Sequence, residues 1–122
     1  MTSRPVKIPD ASHPITVEPT GRRVRAYAGD RLLADTTAAL TLEEKGYPPV
    51  QYVPRGDVDE ALLTASSTTT YCPYKGEAAY LSVTGDDTLS DVGWTYPDVH
   101  EAVASIGDHI AWDTSRVRVV VG

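Results

Sequence analysis

Residues 68–83, TTTYCPYKGEAAYLSV, decide how this chain is read. Two runs rich in Thr, Tyr and Val flank Pro73-Tyr74-Lys75-Gly76. Proline fixes its own φ and glycine admits a positive one, so this tetrapeptide between β-prone runs predicts a tight turn. The expected product is a hairpin with strands at 68–72 and 76–84. In its second strand Glu77, Ala79, Leu81 and Val83 point one way, and Ala78, Tyr80 and Ser82 the other. Neither set is plainly polar. A strand covered on both sides belongs inside a sheet, with core on one face and a lined concavity on the other.

Outward from the hairpin the chain keeps the same character. Residues 22–28 alternate, Gly29-Asp30 forms a two-residue hairpin loop, and 31–36 return. Residues 38–43 are a further short apolar run. Pro48-Pro49 stiffens the entry to a strand at 50–53, and Pro54 stops it. Residues 90–96 and 109–112 read as weaker strands, and RVRVVV at 116–121 as the strongest in the chain. Residues 1–14 hold Pro5, Pro9 and Pro14 without periodicity, so a surface arm is expected there, within a single domain spanning 1–122.

Two segments break the β pattern and open alike. Asp57-Val-Asp-Glu60 precedes Ala61-Leu62-Leu63, and Asp98-Val-His-Glu101 precedes Ala102-Val103-Ala104. Each has the form of a capping box, an aspartate taking an orphan N–H and a glutamate three residues on reaching back. Short helices are therefore expected near 57–63 and 98–105, with Gly107 closing the second. On this reading the acidic clusters are caps.

Charge limits the partners. The net charge is −6, spread unevenly: residues 1–30 carry five Lys/Arg against three Asp/Glu, and 31–122 carry six against fourteen. An acidic body repels a phosphate backbone, so no nucleic-acid partner is expected. The densest basic run, Arg22-Arg23-x-Arg25, alternates with Val24 and Ala26 as the wet face of a half-buried strand does. One cysteine and three scattered histidines make neither an internal disulfide nor a closed four-ligand zinc site, so no metal or cofactor is expected. The start, MTSRPVKIPDASHPITV, has no apolar run of signal-peptide length, and no window approaches a membrane span. The expected compartment is a reducing cytoplasm, with no membrane partner.

The residues with chemistry gather around the turn. Cys72 stands three residues before Lys75, close enough for an ammonium to favour the thiolate. Free cysteine is also among the most buried residue types, so a packed thiol, a pocket-lining thiol and a nucleophile all remain open. Lys75 reads either as a solvated turn residue or as a cation at the rim of a site. Tyr47, Tyr52, Tyr71, Tyr74, Tyr80, Trp94 and Tyr96 hold seven of the nine aromatic residues. Their apolar bodies and polar tips suit a half-wet pocket.

In order along the chain, HPITVEP, VRAYAGDRLLADTTAALTLEEKGYPPVQYVPRGDV, TTTYCPYKGEAAYLSV and VGWTYPDVHEAVASIGDHIAWDTSRVRV resemble the bacterial family known as domain of unknown function 427. That family also carries a nucleotidyltransferase-like label. The most specific element is Thr70-x-Cys72-Pro73-Tyr74-Lys75-Gly76-x-Ala78-x-Tyr80, followed by Glu44-x-Gly46-x-Pro48-Pro49 and Trp94-x-Tyr96-Pro97. The resemblance implies a mainly β fold, two antiparallel sheets meeting in a β-tent (Mss4-like) arrangement with two short helices. The paired Cys-x-x-Cys motifs of zinc-bearing relatives of that architecture are missing. So is the Gly-rich cradle or metal-binding carboxylate pair that nucleotidyl transfer needs.

If the segments fold as the resemblance implies, Glu44 and Trp94 come near the turn. Glu44, Tyr52, Cys72, Tyr74, Lys75, Trp94 and Tyr96 would then line one small-molecule pocket. Two other functions stay open, a thiol-dependent redox enzyme using Cys72 and a protein-interaction module. Glu44 and Lys75 can also be read as a structural ion pair.

Overall fold

Residues 4–122 are described by a computed structural model, in which ten strands form two antiparallel sheets. The larger sheet takes β1 (Ile15–Pro19), β4 (Leu40–Glu44), β5 (Val50–Pro54), β6 (Leu63–Cys72), β7 (Gly76–Val83), β8 (Gly93–Thr95) and β9 (His109–Trp112). Across it the order is β1-β4-β5-β9-β8-β7-β6. The smaller one holds β2 (Val24–Ala28), β3 (Arg31–Thr36) and β10 (Arg118–Val121), ordered β10-β2-β3.

The two sides of the larger sheet differ. Side chains alternate along each strand, so Val53, Leu81, Val83, Ile110 and Trp112 face the small sheet and pack with Val24, Ala26 and Leu33. The opposite face carries Leu42, Tyr52, Ala78, Tyr96 and Ala111, roofed in part by Val103 and Ile106. β7 is thus covered on both sides, as its residues predict.

The larger sheet is curled. β4 and β7 are four strand positions apart, which in a flat sheet is roughly 19 Å. Yet Lys75, just before β7, reaches Glu44 at the end of β4. The joins on both sides of β9 are short: only Val53↔Ile110 and Pro54↔His109 pair it with β5, and only Gly93↔Trp112 and Trp94↔Ala111 with β8. The sheet is at its narrowest pairing around β9.

Several local expectations hold. Gly29 and Asp30 make the two-residue loop between β2 and β3, with Gly29 at φ 58. The three residues Pro73 to Lys75 close the β6–β7 hairpin, where Cys72 pairs with Gly76. Others need correction. The segments expected as capped helices are short 3-10 turns at Arg55–Asp57, Glu60–Leu62 and Glu101–Ile106, and β6 already begins at Leu63. Neither aspartate caps. Asp57 accepts a hydrogen bond from the Thr36 hydroxyl (2.6 Å), and His100 rather than Asp98 precedes the last turn, without a side-chain cap. The physical reason is length: these segments span three to six residues, too few for an α-helix to repay its nucleation.

The run at 116–121 is a short edge strand, not the strongest one. Val117 is buried outside the ladder and Arg116 is tied back to Asp113. β1 is an addition, since ITVEP alternates too weakly beside two prolines to announce itself. Among the described residues no helix is long and apolar enough to cross a membrane.

Candidate functional site

The turn after Cys72 is held from three directions. Its own closure is the hydrogen bond from the Lys75 N–H to the Cys72 carbonyl (3.2 Å). The His100 N–H donates to the Lys75 carbonyl (2.8 Å), and the His100 ring contacts the Pro73 carbonyl through Nδ1 (3.1 Å). From the outside, the Lys7 N–H donates to that same Pro73 carbonyl (2.9 Å). Gly76 has φ 120, and a Cβ built on it would lie 2.9 Å from the Asp98 carbonyl oxygen. Only glycine lets the chain pass there. The outcome is a turn with one orientation, which sends Lys75 inward.

Lys75 is 9% exposed, and its Nζ lies 2.6 Å from Glu44 Oε1. The other Glu44 oxygen, Oε2, is 2.7 Å from His13 Nε2. A carboxylate only accepts, so Nε2 is the protonated nitrogen of that ring. His13 also stacks on Tyr74, with ring centroids 4.3 Å apart. Burial alone would raise the Glu44 carboxyl, but the hydrogen bonds from Lys75 and His13 bring it below its ordinary value. Burial likewise pulls the Lys75 ammonium down, and the Glu44 bond overcomes it and leaves the group above its ordinary value. Both are charged at neutral pH.

Beneath this pair lies a cavity of about 420 Å³. Glu44, Tyr52, Cys72, Lys75, Trp94 and Tyr96 all line it, so six of the seven residues expected at the site share one chamber. Their convergence follows from register: Tyr52, Trp94 and Cys72 occupy the same face of the curled sheet as Leu42 and Ala78. Tyr74 is the exception. It lies outside the chamber lining, half-buried and stacked on His13.

The chamber is lined mostly by aromatic and apolar groups. Tyr52 is 1% exposed, and burial raises its hydroxyl above the usual phenol range, against the pull of the Lys75 charge and Trp94. Burial raises Tyr96 further. Both phenols are neutral hydrogen-bonding groups. Cys72 is half-buried at the wall, with Sγ 3.9 Å from Lys75 Nζ. It therefore packs and lines the chamber at once.

Sequence reasoning counted Tyr47 among the aromatics suited to a pocket and missed His13, Leu42, Pro48 and Val50 as site residues. Tyr47 and Pro48 reach the chamber because Gly46, at φ 85, lets the chain turn back after β4 and the Tyr47 N–H bond the Glu44 carbonyl (3.0 Å). That glycine was the available signal. His13 had none, since its contact is made across 31 residues. Among the described residues no three His, Cys, Asp or Glu side chains gather as a metal site.

The pattern of elements has a family. The model for the family described as a domain of unknown function (DUF427) matches residues 16–122. No curated protein matches the chain. With nearly its whole length matched, the chain belongs to the DUF427 family.

Proposed function

We propose that this DUF427 member binds a small molecule in the chamber between Glu44, Lys75 and Trp94. The observation that carries the reading is the meeting of one buried ammonium, one buried carboxylate and aromatic walls around a single cavity of about 420 Å³. Such a mixture, apolar with a few converging polar groups, is what ligand sites have and packed cores lack. The curl that brings Glu44 to Lys75 also supports a β-tent description of the fold. A cytoplasmic location without nucleic-acid or membrane partners completes the reading, and the acidic charge supports it.

A thermal-shift screen against metabolites tests it. A ligand that binds only the native state raises apparent stability. The expected hit stabilises the wild type, slows alkylation of Cys72 at the chamber wall, and loses its effect in Lys75→Met. If every stabilising compound acts equally on Lys75→Met and leaves Cys72 alkylation unchanged, the chamber is not the site.

One contact favours a second reading. The 3.9 Å approach of Lys75 Nζ to Cys72 Sγ would assist a thiolate, as redox chemistry requires. Alkylation of native Cys72 at neutral pH faster than that of a free thiol would replace the binding reading with this one.

A further inference from the structure

We propose that the chamber takes the head of an uncharged, elongated apolar molecule ending in a carbonyl, whose body runs out along a second, larger cavity. This rests on the chamber reading above and adds the class of ligand. The larger cavity, about 750 Å³, borders the chamber and shares Pro48, Val50, Tyr80 and Trp94 with it. A ligand leaning on Trp94 therefore touches both.

Several polar groups of the larger cavity already have partners in the protein. The Thr68 hydroxyl donates to Asp91 (2.8 Å), and the Thr70 and Tyr80 hydroxyls are 3.0 Å apart. Arg116 donates to Asp113 (2.9 Å) and to the Ser90 carbonyl (2.7 Å). Arg116 is paired with Asp113 and Asp91 is held by the Thr68 hydroxyl, so this space offers no unpaired cation to an anionic ligand group. Pro49, Val119, Val121 and the Trp112 ring add apolar wall beside Gln51 and Thr114, and the buried Trp112 Nε1–H, which has no partner among the described residues, favours an acceptor over a further donor. Apolar surface buried there is the favourable term.

The chamber selects differently. Both Glu44 oxygens already accept, from Lys75 and His13. Lys75 has three N–H bonds, of which one goes to Glu44 and a second makes the long contact to Cys72 Sγ, and the Tyr96 hydroxyl has no hydrogen-bond partner among the described residues. The Lys75 ammonium can only donate and the Tyr96 hydroxyl can donate or accept, so an accepting head is the one that uses both. A carboxylate would meet the Glu44 charge as well as Lys75 and would bring its own desolvation cost. A carbonyl accepts from both donors without either penalty.

The test uses three probes against the purified protein: acetophenone, with a carbonyl and one ring; prodan, a propionyl naphthalene with a carbonyl and a longer body; and naphthoate, with the same ring system and a carboxylate. Quenching of Trp94 and Trp112, the chain's two tryptophans, reads binding. Prodan is expected to bind about tenfold more tightly than acetophenone, from the added apolar area, and more tightly than naphthoate. Val121→Arg, on the exposed wall of the larger cavity, should remove the advantage of prodan and leave acetophenone unchanged. Tyr96→Phe deletes only a hydroxyl, so it should keep the melting temperature and weaken prodan. Acetophenone binding that depends on Lys75, with prodan no tighter and Val121→Arg silent, overturns this proposal and leaves the chamber reading standing. Preference for naphthoate overturns the carbonyl head. No quenching by any probe overturns the proposal.

Discussion

The Glu44–Lys75 pair gives single residues measurable consequences. Its two partners have shifted pKa values of opposite sense, and both shifts stabilise the fold. Glu44 sits below its unfolded value, so its contribution is present above about pH 4.3 and is lost as pH falls through the folded pKa. Lys75 sits above its unfolded value, so its contribution is present below about pH 10.4 and is lost as pH rises through the folded pKa. Wild-type stability should therefore have a plateau between these limits. Glu44→Gln leaves Lys75 buried without its counter-charge, at a cost of about 3 kcal/mol. Melting temperatures from pH 3 to 8 check this: the gap between wild type and Glu44→Gln should be wide at pH 7 and narrow toward pH 3. A gap independent of pH would mean the pair contributes through shape alone. Gly76 offers a second check. Gly76→Ala adds a methyl at φ 120 against the Asp98 carbonyl and should destabilise by about 1–3 kcal/mol in denaturant melts. The same change at Gly56, which has nothing within 4 Å, should cost far less.

At the scale of elements, the arm before β1 does more than lie on the surface. Arg4 pairs with Glu77 at 2.5 Å and lies over the Tyr71 ring, whose hydroxyl donates to the Pro5 carbonyl (2.6 Å). Together with Lys7 on Pro73 and His13 on Glu44, these contacts strap the hairpin turn to the end of β4. His13→Ala removes the stacked ring and one Glu44 partner. It is expected to lower the melting temperature by a few degrees, equivalent to about 1 kcal/mol, and to speed alkylation of Cys72 beside the loosened chamber. Unchanged alkylation would show that the strap does not govern access. The elements themselves were unevenly legible in the chain. The hairpins were readable because Gly29 and Gly76 stand between alternating runs, and alternation reports burial directly. The 3-10 turns were misread because Asp57 and Asp98 look like caps at a distance of three residues from a glutamate. Asp57 instead answers to Thr36, a partner 21 residues away that local pattern does not reveal.

For the molecule as a whole, the legible part was composition of the site and the hidden part was its closure. Tyr52, Trp94 and Tyr96 could be nominated because such residues cluster along the chain, and the family resemblance placed Glu44 with them. Their meeting depends on a curl that no local pattern encodes. It runs through β9, which shares only two residue pairs with each of its neighbours, and it is secured by an ion pair between the far flanks. That arrangement has a kinetic consequence. The two flanks can zip separately, β1-β4-β5 on one side and β9-β8-β7-β6 on the other, before their ends touch. Contacts that form after the rate-limiting step affect the rate of coming apart and not the rate of assembly. Lys75→Met should therefore shift the unfolding limb of a chevron upward and leave the refolding limb where it is, while a substitution at buried Ile110 on the bend itself should slow refolding. If both variants move the same limb, the flanks and the bend assemble together. Otherwise, the Glu44–Lys75 clasp is the last latch to close and the first to open, and the lifetime of the folded chain is set at the mouth of its chamber.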